Sequence, residues 1–354
     1  MQRLRSCRRL LSTRAIVCDG FGPPSVMQMR DGVTLRGPEN GEVLIHMRAA
    51  GVNPSDTYVR LGPEGPYAGN AKLIPDLPFT PGKDGAGVVE SVGAGVTGAK
   101  VGDRVYVSGS LTGTYAEHCI CSANQVYPLP ANVSFEEGAC VGVPCATAYR
   151  ALFLRGSATS GENVFVHGAS GAVGLAAIQM AVDAGCFVVG SAGTAAGEDA
   201  VRASGAHAVV NHRDEHYVHK ALDALKNAES QDGFDLLLEM AADKNLVADM
   251  AMMRRGGRIA IVGSKALPTS LNPRLTMPKE IDVRGVFLGN ASALELQNIH
   301  SELFKRMESG SLKPVVGKIL PLDQAPVAHA EVMDPPEGGS LGNIVLSAES
   351  GSSL

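Results

Sequence analysis

Two periodicities divide the chain. Up to about Pro130, short runs alternate apolar and polar residues between glycine and proline turn signals: VLIHMRAAGV, AGVVESVG, DRVYVSG and YAEHCIC. Period-two alternation bounded by such turns predicts half-buried strands, so this part reads as a β-rich domain. From Val143 the pattern changes. TAYRALF has helical spacing, and continuous apolar runs then recur between helical stretches at NVFVHG, CFVVGSA, AHAVVN, FDLLLEM and RIAIVG. Strands apolar on both faces, alternating with helices, predict a parallel sheet of the doubly wound α/β class. IDVRGVFL, from Ile281 to Leu288, predicts one more strand, and LELQNIHSELFKRMESG a strong helix. The remainder, KPVVGKILPLDQAPVAHAEVM and GNIVLS, reads as strand, helix and strand, with the possibility of a return to the first domain.

Composition agrees with this division. A chain of 354 residues, 45% hydrophobic and 19% charged, is long enough for two domains. Its 42 glycines against 5% aromatics suit tight βα turns. The net charge of -5 gives no electrostatic reason to expect a polyanionic partner. No stretch approaches the roughly 18 to 20 apolar residues of a membrane span, which predicts a soluble protein. The seven cysteines are odd in number and contain no CxxC pair, the pattern of reduced thiols in an intracellular protein. Cys119 and Cys121 stand beside His118 in EHCIC, but strand alternation points neighbouring side chains to opposite faces and argues against a metal site.

The amino-terminal stretch differs from everything after it. Arg3, Arg5, Arg8, Arg9 and Arg14 precede any acidic residue, with Leu4, Cys7 and Leu11 on one helical stripe. This is the pattern of a mitochondrial presequence over residues 1–13, and a disordered basic tail is the alternative. A mitochondrial or a cytoplasmic location therefore stays open. Without those five charges the rest carries about -10, further from a nucleic-acid binder. SAESGSSL at the other end reads as a disordered tail over residues 347–354.

VHGASGAVGLAAIQMA carries the most chemistry. Gly168, Gly171 and Gly174 form a GxxGxxG run rather than the usual GxGxxG, but a strand precedes it and a helix follows at once. That context predicts a dinucleotide site. The helix amino terminus offers unpaired N–H groups and positive dipole to a pyrophosphate, Gly171 lets the phosphates approach, Gly174 lets the helix pack on the sheet, and Ser170 can donate a hydroxyl. The next strand ends SAGT, Ser191 to Thr194, with no acid until Glu198, whereas Asn211, His212 and Arg213 follow the third. An absent ribose-binding carboxylate with cationic side chains nearby favours NADPH over NADH. His212, His216 and His219 have helical spacing, yet with no HExxH frame and no nearby cysteine they read as a solvated face rather than a metal site.

Taken together, GVNPSDTYVR, PFTPGKDGAGVVESVG, GDRVY, VPCATAYRAL, VHGASGAVGLAA, GAHAVVNHR, GGRIAIVGS, NPRLTMPKE and LKPVVG resemble the medium-chain dehydrogenase/reductase superfamily. The resemblance is to its zinc-free quinone oxidoreductase branch, the ζ-crystallin-like NADPH:quinone reductases, and it spans Arg14 to Leu346. It implies a GroES-like catalytic domain over residues 14–140 and 289–346, with a Rossmann domain over residues 141–288. It also implies a homo-oligomer, dimer or tetramer, with sheets joined near Val286. The cofactor contacts it carries over are Tyr58, Ser170, Gly171, Val173, Gly193, His212, Asn245, Val262, Gly263, Ser264 and Lys265, with Val286, Phe287 and Leu288 near the nicotinamide. Ala172, Lys265 and Phe287 depart from the family's pattern. Zinc members have a Cys where this chain has GVNPSD and a His-Glu pair where it has PGKDGAG; Asn53, Pro54, Lys83 and Asp84 fill those regions, so the resemblance implies no metal.

Tyr58 and Asn53 are the catalytic candidates. A phenol at Tyr58 can orient the nicotinamide or hydrogen-bond a carbonyl oxygen, and packing beneath the cofactor is the equally weighted alternative. Reduction of quinones, in the resembling family one electron at a time to semiquinones, is the leading expectation. Reduction of an enone, alkenal or enoyl-thioester double bond is the second. A crystallin-like structural role or binding of AU-rich RNA is the third, and no basic, aromatic-interleaved surface supports it.

Overall fold

The computed structural model describes residues 10–228, 231–265, 271–336 and 339–348, and these form two compact units. The first comprises the described residues up to Gly142, then Lys318–Pro335 and the chain from Ile344. The second comprises Val143–Gly317 and Pro336–Asn343.

In the first unit, β1 (Leu11–Cys18) and β2 (Met27–Leu35) pair antiparallel. β3 (Glu42–Val52) lies at the centre of a larger sheet, flanked by β4 (Asp84–Val92) and β15 (Asn343–Ser347), and it also pairs with β6 (His118–Ser122). The sheet extends through β5 (Arg104–Ser108) to β7 (Val126–Pro128) on one side and to β14 (Val316–Pro321) on the other. Alternation supplies the core: Val43, Ile45 and Met47 of β3 pack with Val105, Val107, Cys119 and Cys121 from its neighbours. α1 (Pro54–Leu61) follows β3 directly, with a proline at its first helical position, and α2 (Phe135–Gly138) is closed by a reciprocal Ser134–Glu137 capping box.

Within EHCIC, the Cys119 and Cys121 sulfurs share the buried face 3.6 Å apart, while His118 points the other way, stacks on His46 and pairs with Glu90. The thiols and the imidazole therefore do not converge. All the described cysteines are free and buried.

In the second unit, α3 (Ala146–Tyr149) runs on into a wider helical turn, Arg150–Arg155. Six parallel strands follow: β8 (Asn163–Val166), β9 (Phe187–Ala192), β10 (Ala208–Asn211), β11 (Phe234–Glu239), β12 (Met253–Ile261) and β13 (Asp282–Gly285). Their spatial order is β10-β9-β8-β11-β12-β13. α4 (Ala172–Asp183), α5 (Ala195–Ala203), α6 (Tyr217–Ala224) and α7 (Ala242–Met252) follow the first four of these strands in turn. Phe165, Val189, Phe234, Leu237 and Ile259 are buried in one cluster, each contributing about 1.5–3 kcal/mol by leaving water. The order reverses between β8 and β11, which places the ligand crevice of such a sheet at their carboxyl ends.

Four sequence-based boundaries move. Leu11 to Thr13, assigned to the leader, belong to β1 opposite Leu35 to Val33, because Thr13 and Ala15 alternate inward as strand residues. Residues 1–9 of the leader lie outside the described residues. The strand expected over Ile281 to Leu288 stops at Gly285, since its neighbour β12 ends opposite at Ile261 and leaves nothing to pair with. The return to the first unit begins at Lys318 rather than 289. α8 (Ala293–Ser309) belongs to the second unit, where Glu295 pairs with Arg150 at 2.8 Å, Arg306 pairs with Asp183, and the Gln179 side chain accepts the Lys313 N–H at 2.8 Å. α9 (Ala325–Met333) returns to the first unit, against the buried Ile16 and Val52. Lastly, Ser347 and Ala348 are not tail: one lies in β15 and the other donates its N–H to Arg48, while residues 349–354 lie outside the described residues. No described helix is long and apolar enough to cross a membrane.

Candidate active and cofactor sites

The glycine run forms the turn from β8 into α4. Gly168 has φ +56°, a left-handed conformation that favours glycine. Gly171 caps α4, and a Cβ there would meet only the Gly168 carbonyl at 3.5 Å, so the backbone is open to a ligand. A Cβ at Gly174 would lie 2.6 Å from Ala169 backbone atoms. The third glycine thus lets the helix close on its own turn, where the sequence reading had it admit the sheet. Ser170, Gly171, Ala172 and Val173 together form a helix amino terminus suited to a pyrophosphate.

The ends of the next two strands meet beside this turn. A Cβ at Gly193 would lie 2.7 Å from His212 Nε2 and 3.1 Å from Arg213 Nε, so both side chains converge on that glycine. Glu198, the first acid after β9, is engaged elsewhere: it accepts from Asn211 at 3.0 Å and Arg202 at 3.1 Å. His212 has an exposed edge, but packing about its ring, with the nearby positive charge of Arg213, holds it below the usual histidine range. The helical spacing of the three histidines is not realised. His212 lies after β10, His216 caps α6, and only His219 is inside that helix, exposed.

Asn245 lies on α7 and donates to Glu239 at 3.2 Å. Gly263 admits no side chain, because a Cβ would approach the Met240 carbonyl to 2.4 Å. Val262, Gly263, Ser264, Val286 and Phe287 line one cavity of about 490 Å³, together with Arg150 and Asn290. Leu288 begins the next helical turn and does not line that cavity. Phe287, 41% exposed, is the large apolar side chain among its lining residues. The Lys265 backbone N–H and the Ser264 hydroxyl both donate to Asp243, a carboxylate the sequence reading missed.

Both catalytic candidates lie in the first unit, Asn53 within a buried polar chain and Tyr58 outside it. Asn53, 3% exposed, donates its amide to Asp84 at 2.9 Å, and its backbone N–H goes to Asp56. Tyr115 donates to Asp56 at 3.3 Å and meets His329 Nε2 at 3.1 Å, and Arg60 donates to the other ring nitrogen. Burial pushes Asp56 up to about 6, against the opposing charge of Lys83. Asn53 is therefore a helix-start residue locked to a carboxylate. Tyr58 is half-buried on α1 with its ring edge-on to Tyr67, which in turn lies beneath the Lys83 ammonium at 5.9 Å. An asparagine amide, one aspartate and a lysine ammonium supply a single carboxylate and neither thiolate nor imidazole, which does not fit catalytic zinc with its three ligands drawn from Cys, His and Asp or Glu.

One polar group escaped the sequence reading altogether. His167, Glu239 and Asp249 are 1%, 0% and 0% exposed and lie within reach of one another beneath the glycine turn. The only cue along the chain is an acid closing the apolar run FDLLLE and another inside an apolar helix.

A GroES-like β unit joined to a doubly wound parallel sheet with a glycine turn at its switch point defines the medium-chain dehydrogenase/reductase class. Residues 39–131 match the alcohol dehydrogenase GroES-like domain family, and residues 172–306 match the zinc-binding dehydrogenase family. The chain is 43% identical over 334 residues to the quinone oxidoreductase of Lama guanicoe, covering 94% of this chain and 97% of that one. It is 40% identical over 333 residues to the quinone oxidoreductase of Homo sapiens, with the same coverage. The structure of Escherichia coli quinone oxidoreductase complexed with NADPH superposes with a TM-score of 0.80 at 28% identity, over 94% of this chain and 99% of that one. The chain belongs to the quinone oxidoreductases of the medium-chain dehydrogenase/reductase superfamily.

Proposed function

We propose that this chain is an NADPH-dependent quinone reductase that works without zinc. The observation that carries the cofactor reading is the end of β9, where His212 and Arg213 converge on Gly193 and Glu198 is held away by Asn211 and Arg202. That environment suits a 2′-phosphate and offers a ribose diol no carboxylate. The α4 amino terminus would hold the pyrophosphate, and the cavity at Val262, Gly263, Ser264, Val286 and Phe287 the nicotinamide end. Bound NADPH supplies the reducing hydride. Of the chain's own residues, Tyr58, half-buried on α1 and edge-on to Tyr67, donates a hydrogen bond to the acceptor's carbonyl oxygen. Names and identity of the relatives support a quinone as acceptor.

An acceptor screen tests this. Purified protein oxidises NADPH with ortho- or para-quinones and not with alkenals; turnover of alkenals alone moves the assignment to double-bond reduction. We propose further that the chain forms a homo-oligomer through the edge strand β13, where Val283 is exposed, as is Phe287 just beyond the strand. Light scattering that gives a monomer at micromolar concentration refutes it.

A further inference from the structure

The cluster beneath the glycine turn has an unusual donor count. His167 Nε2 lies 2.9 Å from Asp249 Oδ1 and 3.8 Å from Glu239 Oε2. These three atoms and Asp249 Oδ2 have no hydrogen-bonding partner outside the cluster. Two carboxylates this close, both buried, cannot both carry a charge at tolerable cost, and one proton held between them removes the repulsion. The imidazole does not take up that charge readily, because burial holds His167 below its ordinary range.

The cluster also occupies a particular place in the fold. His167 leads from β8 into Gly168, and its other nitrogen contacts the Ser191 hydroxyl of β9 at 3.1 Å. Glu239 closes β11: its side chain accepts from the Ala241 N–H and the Asn245 amide, and its carbonyl accepts the N–H groups of Val262 and Gly263 at 2.8 and 3.2 Å. Asp249 comes from α7. Three carboxyl strand ends and one helix are thus tied at the switch point, and each of the backbone turns tied there is a candidate cofactor contact.

We propose that His167, Glu239 and Asp249 are positioning residues that hold one shared proton and so fasten the dinucleotide crevice, and that losing this proton weakens NADPH binding. The proposal rests on the cofactor reading above. Burial pushes Glu239 up to about 8, with the charge of Asp249 adding to it, and pushes Asp249 up to about 7. The proton is therefore present at neutral pH and leaves to solvent as pH rises through that window. The groups facing the cluster do not titrate there: Tyr217 on α6, edge-on to the imidazole at 5.8 Å, is pushed up to about 12, and His212, lowered by burial and then by His167, Arg213 and Lys244, lies below its ordinary range. Ser191 and Asn245 are neutral, and a 2′-phosphate titrates near about 6.

The test is the NADPH dissociation constant of the full chain, read by cofactor fluorescence at fixed ionic strength on either side of this window. Wild type binds about tenfold more weakly at the alkaline side, the effect of a one-unit change in the pair's affinity for its proton. Glu239→Gln and Asp249→Asn each replace the shared proton by a permanent amide donor and give a flat profile at near-neutral affinity. A merely structural role would lower affinity at every pH and leave the slope. Infrared difference spectra provide a readout independent of variants: a protonated-carboxyl band in wild type at neutral pH that disappears at the alkaline side. A flat wild-type profile, a slope retained in both variants, no such band, or a stoichiometric metal lost in Asp249→Asn would each overturn the proposal. Failure to bind NADPH at any pH would overturn the cofactor reading as well, whereas binding indifferent to pH overturns this inference alone.

Discussion

Arg213→Glu should reverse part of the cofactor preference. Arg213 Nε and His212 Nε2 lie 3.1 and 2.7 Å from the position a Gly193 Cβ would take, so the guanidinium and the imidazole both stand at the end of the second strand, where this class of sheet reads the adenosine ribose. One charge-assisted hydrogen bond to a phosphate contributes about 1.5–3 kcal/mol. A carboxylate in its place adds repulsion of about 1 kcal/mol at 4 Å in water, the appropriate limit for an exposed side chain. The two together predict roughly a hundredfold to a thousandfold loss of NADPH affinity, while NADH, lacking the phosphate, changes by less than about threefold. Fluorescence titration of both cofactors into wild type and variant measures this, and raising the salt should shrink the difference for NADPH alone. Equal losses for the two cofactors, or none for either, would show that the 2′-phosphate is read elsewhere, with Lys265 the next candidate.

Elemental analysis of the purified protein should find less than about one-tenth of a zinc per chain, and activity should survive a chelator; a full equivalent whose removal abolishes turnover contradicts the reading of Asn53, Lys83 and Asp84. Tyr58→Phe should lower kcat about tenfold to a hundredfold with little change in NADPH affinity, as loss of one hydrogen bond made to the acceptor requires; unchanged kinetics with every acceptor leaves Tyr58 as packing against Tyr67. Residues 1–14 fused to a reporter should direct it to mitochondria, and a uniformly cytosolic reporter ends that assignment.

What was legible along the chain was local. The switch from period-two alternation to continuous apolar runs marks the two units, and Gly168, Gly171 and Gly174 between β8 and α4 mark the cofactor turn. Spacing also separates His118 from the thiols of EHCIC. The buried polar groups were not legible, because each is assembled by pairing distant strands. Asn53 reaches Asp84 only through the β3–β4 register, and His167 reaches Glu239 only because β8 lies beside β11. Element allegiance is hidden for the same reason: Glu295 and Arg306 hold α8 to the second unit by contacts with Arg150 and Asp183, far away in sequence.

The chain's route between its units has a consequence for biosynthesis. β15 pairs with the carboxyl-terminal end of β3, Leu346 opposite Ala50, and the segment just before it donates the Gly342 N–H to Ser170 in the glycine turn. During translation, β6 can cover the first half of β3 early, but the edge from Ala49 to Val52 waits for β15 and stays unpaired through the synthesis of the whole parallel sheet. A ribosome stalled before Ile344 would hold a chain lacking that strand, with Val52 and Ala50 of β3 missing their β15 partners. Such a nascent chain is a substrate for chaperones or for edge-to-edge aggregation until β15 arrives.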